Sequence, residues 1–409
     1  MIVRTYIRCE TCSQPHLVRI GMGQEPRQNH RFPCVECGED MVVALNVDFV
    51  NISYDVEAVE NAELVKAVDD APVVNVEANF IIPKDQRNVD NVFPRMDEFR
   101  KMMDVAERNG SLRPIGHLTD IQLRSRPNRQ PDFQTEWKLL RKAWSLHRRG
   151  REHLVKDKIA AASEEFYASD PLKSLPDWLW RFLLFFSQPH FELTFQSAMK
   201  RVGPLIGTPA FDAFETYYKS IAAKRGDRYF ELFENFFEAY DDLAQVHFYV
   251  VRGIPIPPGD VISHVDFKET RMLYGNLFEA FSSSVDVLVC FNNMIAGRSF
   301  DALQTIPLKE YLKLDKAGRF RAFEDTPEFA ALCTERDNQL RNASHHLGTK
   351  LDTETQTIVY RAGKGGLGDE QKLAYGQYLA RCDALFLQCV ALLRMEIMVC
   401  HSRGLRFPL

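Results

Sequence analysis

Cys9-Glu10-Thr11-Cys12 and Cys34-Val35-Glu36-Cys37-Gly38 are two thiol pairs of Cys-x-x-Cys spacing, with residues 13–33 between them. Each pair can chelate one ion through a tight turn, and together they offer the four soft ligands that zinc takes in a tetrahedron. Gly38 relieves the backbone after the second pair; Ser13 stands at the matching place after the first. The expected cofactor is a structural zinc ion. A site closed by four thiolates leaves no position for substrate, so the metal is not expected to catalyse. A redox role for either pair would need a thioredoxin-like β-α-β pattern, and neither pair has one. His16 and His30 are the substitute ligands on offer, although their settings read as exposed loops.

A second chemically capable group lies near the other end of the chain, in Leu340-Arg341-Asn342-Ala343-Ser344-His345-His346. Arginine can grip a phosphate with two parallel hydrogen bonds. Histidine exchanges protons near neutral pH. A helix C-terminus at this point would favour the protonated imidazole. The plainer alternative is a solvated helix end in which Arg341 pairs with a carboxylate.

The elements that must position these groups differ in kind. Residues 1–50 alternate as strands do and form the expected zinc ribbon, with a loop from Gly21 through Asn29. Residues 55–72, acidic and rich in alanine and valine, read as a linker or short helix. Residues 51–131 read as a connector punctuated by Pro83, Pro94, Pro114, Pro127 and Pro131. From Asp132 the apolar period becomes helical, with Trp137, Leu140 and Trp144 on one stripe. The break Gly253-Ile254-Pro255-Ile256-Pro257-Pro258-Gly259 separates a helical domain at 132–260 from a second at 261–409. In the latter, helices are expected over Met272–Ala296, Thr326–Leu347 and Glu370–Cys400. Thr326 would cap the second, followed by Pro327 and Glu328. The fold class is therefore mainly α, with a small β zinc ribbon at the N-terminus and a helical bundle at the C-terminus.

Arg341-Asn342-Ala343-Ser344-His345-His346 resembles the signature of the HEPN superfamily: an arginine, four to six residues beginning with a polar one, then a histidine. The resemblance covers residues 261–409, and the strand-like stretch with a glycine-rich turn at Thr353–Gly368 departs from it. It implies a metal-independent endoribonuclease acting as a homodimer, with RNA as substrate and roles in phage defence, toxicity or RNA processing. Arg341 would orient the scissile phosphate, His346 would transfer protons, Asn342 would position one of them, and His345 is a spare candidate. The rival reading is a non-catalytic adaptor in which ribbon and helices bind nucleic acid or a regulatory protein partner. A DNA-binding regulator would need a recognition helix, which the ribbon lacks.

The remaining signals bound these readings. With 409 residues, 45% apolar and 26% charged, the chain can bury a substantial core. A net charge of -5 gives no overall attraction to nucleic acid. The basic stretch Arg124–Arg151 interleaves Trp137 and Trp144, but the tryptophans fall on the apolar face and read as core. Lys364 in Gly363-Lys364-Gly365-Gly366-Leu367-Gly368 lacks the context of a phosphate loop. Trp178–Phe195 and Phe230–Phe237 are dense in aromatic residues, which core packing explains. Cys290, Cys333, Cys382, Cys389 and Cys400 read as buried thiols. No leader or membrane span is read, so the expected location is the cytoplasm.

Overall fold

The computed structural model describes residues 1–23, 25–49, 51–90, 100, 103–104, 107–108, 133–346, 348–363, 368–405 and 407–409. The chain forms two compact units, each assembled from three segments. The first comprises Met1–Leu112, Glu238–Leu273 and Asn342–Asp383; the second comprises Arg113–Phe237, Tyr274–Arg341 and Ala384–Leu409.

The first unit carries the strands. β1 (Ile2–Cys9), β2 (Pro15–Gly21), β6 (Ala62–Val65) and β7 (Val73–Glu77) make a sheet in the order β6-β1-β2-β7. β3 (Arg27–Pro33), β4 (Asp40–Asp48) and β5 (Ser53–Glu60) make a second. Their inward residues share one core, including Val3, Ile7, Val18, Ile20, Phe32, Val43, Leu45, Val74 and Val76. Cys9 and Cys34 belong to that core. Met41 to Leu45 are all buried, as a strand covered on both faces requires.

Two stretches differ from the sequence reading here. Gln28, His30 and Phe32 point inward on β3, which begins at Arg27, inside the stretch read as loop. Residues 55–72 hold β5 and β6 rather than a helix. Val56 and Ala58 alternate with Asp55 and Glu57 and pack against the core. The acidic composition masks a period of two.

The unit is completed by β8 (Ile82–Pro83) paired with β9 (Asp260–Val261), and by β10 (Lys350–Asp352), β11 (Thr357–Arg361) and β12 (Glu370–Ala374). Pairing of β12 with β11 delays the last helix of the chain to Tyr375. Lys364 lies outside the described residues, as do Arg124, Arg126 and Arg129 of the basic stretch.

The described helices of eight residues or more are α1 (Phe133–Arg148), α2 (Glu152–Phe166), α3 (Leu175–Ser187), α4 (His190–Val202), α5 (Pro209–Glu238), α6 (Tyr240–Val250), α7 (Leu273–Ser284), α8 (Asp286–Ile295), α9 (Asn338–His345) and α10 (Tyr375–Arg403). In the second unit, Trp137 stacks on Phe237 at 4.9 Å and Phe236 on Phe386 at 3.7 Å. Trp137 and Trp144 are buried, which accounts for the aromatic density and removes both rings from any nucleic-acid surface. All five scattered cysteines are buried. α10 is long and apolar enough to cross a membrane by composition, yet 83% of its most apolar window is buried within the fold, as in a core helix.

Two expected helices are broken, each for a visible reason. Met272–Ala296 divides at Val285 into α7 and α8. The carbonyls freed there are taken by arginines: Arg319 donates to Ser282 O at 3.2 Å, Arg228 to Ser283 O at 2.5 Å and Arg225 to Ser284 O at 2.8 Å. Thr326–Leu347 holds only a short turn at Pro327–Ala330 and then α9. Between them the Gln388 side chain accepts from Glu335 N at 2.7 Å and donates to Glu335 O at 3.0 Å, replacing helical partners. Asp337 then caps α9, accepting from Gln339 N at 2.9 Å and Leu340 N at 3.0 Å. Thr326 donates its hydroxyl to Asn292 at 2.6 Å instead of capping.

Candidate metal centre and motif helix

The two cysteine pairs adopt one backbone frame. Ser13 N–H donates to Cys9 O at 2.9 Å and Gly38 N–H to Cys34 O at 3.0 Å. Cys9 N–H donates to Gln14 O at 2.9 Å and Cys34 N–H to Glu39 O at 2.8 Å. The residue after each pair is left-handed, with φ +67° at Ser13 and +76° at Gly38. No atom lies within 4 Å of a Cβ built at Gly38, so backbone conformation alone favours glycine there.

β1 and β3 deliver the two knuckles to one point. Cys9 Sγ lies 3.8 Å from Cys37 Sγ, Cys12 Sγ lies 3.5 Å from Cys34 Sγ, and all four sulfurs fall within 4.8 Å of one another. Zinc–thiolate bonds of about 2.3 Å in a tetrahedron place sulfurs about 3.8 Å apart. A disulfide would bring two of them to about 2 Å, and all four cysteines are free. The cluster has the composition and spacing to hold one metal ion.

Its surroundings favour the thiolate at Cys9 and the thiol at Cys34 and Cys37. Burial opposes ionisation of Cys9, but the N–H groups of Cys12 and Thr11 bear on its sulfur and bring the thiol down to about 7. Cys34 receives the same pair of N–H groups, from Cys37 and Glu36; burial prevails and pushes it up to about 12. A bound divalent cation would favour the thiolate at all four positions.

Two residues outside the ligand set tie the knuckles together. Asn61 Oδ1 accepts from Thr11 N at 3.0 Å and Thr11 Oγ1 at 2.9 Å, while its Nδ2 donates to Asp40 O at 2.9 Å. Sequence reasoning missed Asn61. Its one local signal is an asparagine between two strands, here with φ +49°. His16 accepts from Val35 N–H at Nε2, at 3.2 Å, bracing the second knuckle rather than joining the ligands. His16 and His30 are both buried strand residues, not the exposed loop residues expected. Both ring nitrogens of His30 lack a hydrogen-bond partner among the described residues.

The second candidate group lies on α9, through which the division between units passes after Arg341. Leu340, Ala343 and Ser344 are buried, Arg341, Asn342 and His345 are partly exposed, and His346 is exposed just past the helix end. On the side of the second unit, Arg341 donates to Glu279 of α7, whose other oxygen lies 3.8 Å from Lys316 Nζ. On the side of the first, Ser344 donates to Arg271 O at 2.7 Å and His346 N–H to Asn342 O at 3.1 Å. Glu279 is 62 positions from Arg341, so no local pattern announces the pair.

No family model, no curated protein and no solved structure matches the chain.

Proposed function

We propose that the four thiolates hold a structural zinc ion and that the chain cleaves RNA without a catalytic metal, through Arg341 and His346. One observation carries the second part. α9 is anchored by buried Leu340, Ala343 and Ser344, while every residue of chemical interest on it keeps some exposure. Under the expected homodimer, two such helices would share one substrate.

In this reading Arg341 holds the non-bridging oxygens of a phosphodiester. The ribose 2′-oxygen forms a bond to phosphorus as the bond to the 5′-oxygen breaks, leaving a 2′,3′-cyclic phosphate. His346 takes the 2′-hydroxyl proton, and the imidazolium so formed gives it to the departing 5′-oxygen. Asn342 positions one of the two groups.

The adaptor reading has its own support. Arg341 already has a structural task in holding Glu279.

The test is cleavage of total RNA by zinc-loaded protein without added divalent ions, beside Arg341→Ala and His346→Ala variants of matched stability. Loss of cleavage in both variants, with cyclic-phosphate ends from the parent, is the expected result. An inactive parent protein moves the adaptor ahead. Equal cleavage by all three removes Arg341 and His346 from the chemistry. Elemental analysis should find one zinc per chain, lost in Cys12→Ser.

A further inference from the structure

β5 is the outer strand of the sheet β3-β4-β5. Val47 N–H donates to Pro26 O at 2.7 Å, so the polar groups of Val47 face β3. Its neighbours Asn46 and Asp48 therefore face β5, where the register sets them opposite Asp55 and Ser53. It follows that Tyr54 and Val56 direct their N–H and C=O groups outward from the edge. Neither residue makes a further backbone hydrogen bond among the described residues.

The side chains along this edge are unusual for one facing only water. Tyr54 is 52% exposed, Val59 46%, and Phe49 and Ile52 at the adjoining turn 51% and 90%. Ile52 holds φ +54°, a costly conformation for a β-branched residue. A long open edge with apolar side chains is a template for strand addition.

Charge selects the occupant. From Ser53 to Val65 the chain carries Asp55, Glu57, Glu60 and Glu63 and no lysine or arginine. Arg27 and Arg31 are engaged by Glu57 and Glu60, at 2.6 and 2.8 Å, and Asp55 has no ion pair among the described residues. A nucleic-acid backbone would meet like charge. A second copy pairing antiparallel about Val56 would set Asp55 directly opposite Glu57, which is unfavourable for the same reason.

We propose that the open edge of β5 binds an extended, lysine- or arginine-bearing segment of another protein as an added strand. Alternate basic side chains of that segment meet Asp55 and Glu57, and its backbone pairs with Tyr54 and Val56.

The experiment uses the full zinc-loaded chain and three fluorescent probes: the peptide Lys-Val-Lys-Thr-Lys-Val-Lys, its glutamate counterpart, and an oligouridylate RNA. Anisotropy measures binding, and hydrogen exchange locates it. The basic peptide alone should bind and should slow exchange at Tyr54 and Val56. The double variant Asp55→Lys, Glu57→Lys should weaken the basic peptide by about tenfold and admit the acidic one. Tyr54→Pro removes one outward N–H at a position where an edge strand accepts proline, and should also weaken it. The proposal falls if the basic peptide fails to bind, if protection arises away from β5, or if the RNA protects the same amides.

Discussion

Ser13 and Gly38 stand at equivalent points of two turns with the same hydrogen-bond pattern, yet only one is the residue that the left-handed conformation favours. Holding a side chain there costs about 1 kcal/mol. Ser13→Gly should therefore stabilise the zinc-loaded protein by roughly that amount, read as a higher denaturant midpoint; an unchanged or lower midpoint would show that Ser13 has a compensating role. His30 supplies a pH-dependent contrast. Burial, reinforced by the charge of nearby His264, brings its pKa down to about 3. The unfolded chain, with an imidazole near 6.5, binds about one more proton between those values, so stability falls as pH falls below about 6.5. Between pH 7 and 5.5 the parent should lose roughly 1 kcal/mol more than His30→Leu, measured by urea unfolding of both. Zinc release, common to both proteins, cancels in that comparison. Equal losses would mean that His30 is not neutral and buried in solution. His264 shifts the other way: Asp242 overcomes the effect of burial and raises its pKa, so its contribution is present at low pH and fades as pH rises. The cluster of four cysteines was legible because its chemistry is written in local spacing. Asn61, His16 and Glu279 were not, since each acts across a distance in sequence that only the fold closes.

Helices were legible where one face alone decides, as along α1 with Trp137, Leu140 and Trp144. They were misread where a distant side chain replaces a backbone partner. Gln388 does so between the two parts of Thr326–Leu347, and three arginines do so after α7. α5 contains a related case. Arg225 on that helix is enclosed by Glu396, Asp286 and the hydroxyls that Tyr218 and Tyr229 send to Glu396. The next residue, Gly226, looks like a flaw in a 30-residue helix. Helix propensity alone says that Gly226→Ala would stabilise by about 1 kcal/mol. A Cβ at Gly226 would lie 2.8 Å from backbone atoms of Pro408 and Leu409. The substitution should instead lower the melting temperature, because a helix core and a chain segment cannot both keep their places. A rise would show that residues 408–409 yield without cost.

Taken whole, the chain is mainly α with an N-terminal β region bearing the four cysteines, as periodicity and spacing foretold. Its interleaving was not foretold. Each unit draws on three separated segments, and hydrophobic periodicity carries no information about which segments meet. A metal held by the four cysteines should matter beyond the residues it touches, since it would join turns at the ends of two different hairpins. Stripping zinc should lower the melting temperature, and restoring it should recover the loss. An identical melting curve for both forms would mean that the sheets hold the thiols together unaided.

β7 lies parallel to β2, with Leu17 opposite Val73 and Gly21 opposite Glu77. Everything from β3 to β6 is threaded between those two partners, so their pairing, like that of β1 with β6, closes a long stretch of chain and is deferred by chain entropy. A metal ion held by the cluster would draw Cys9 and Cys12 toward Cys34 and Cys37, gathering much of the intervening chain before β7 arrives. Such an ion would act on time as well as on stability: it would shorten the effective search that β7 must make, and a chain waiting for metal would spend longer with the edge of β2 uncovered.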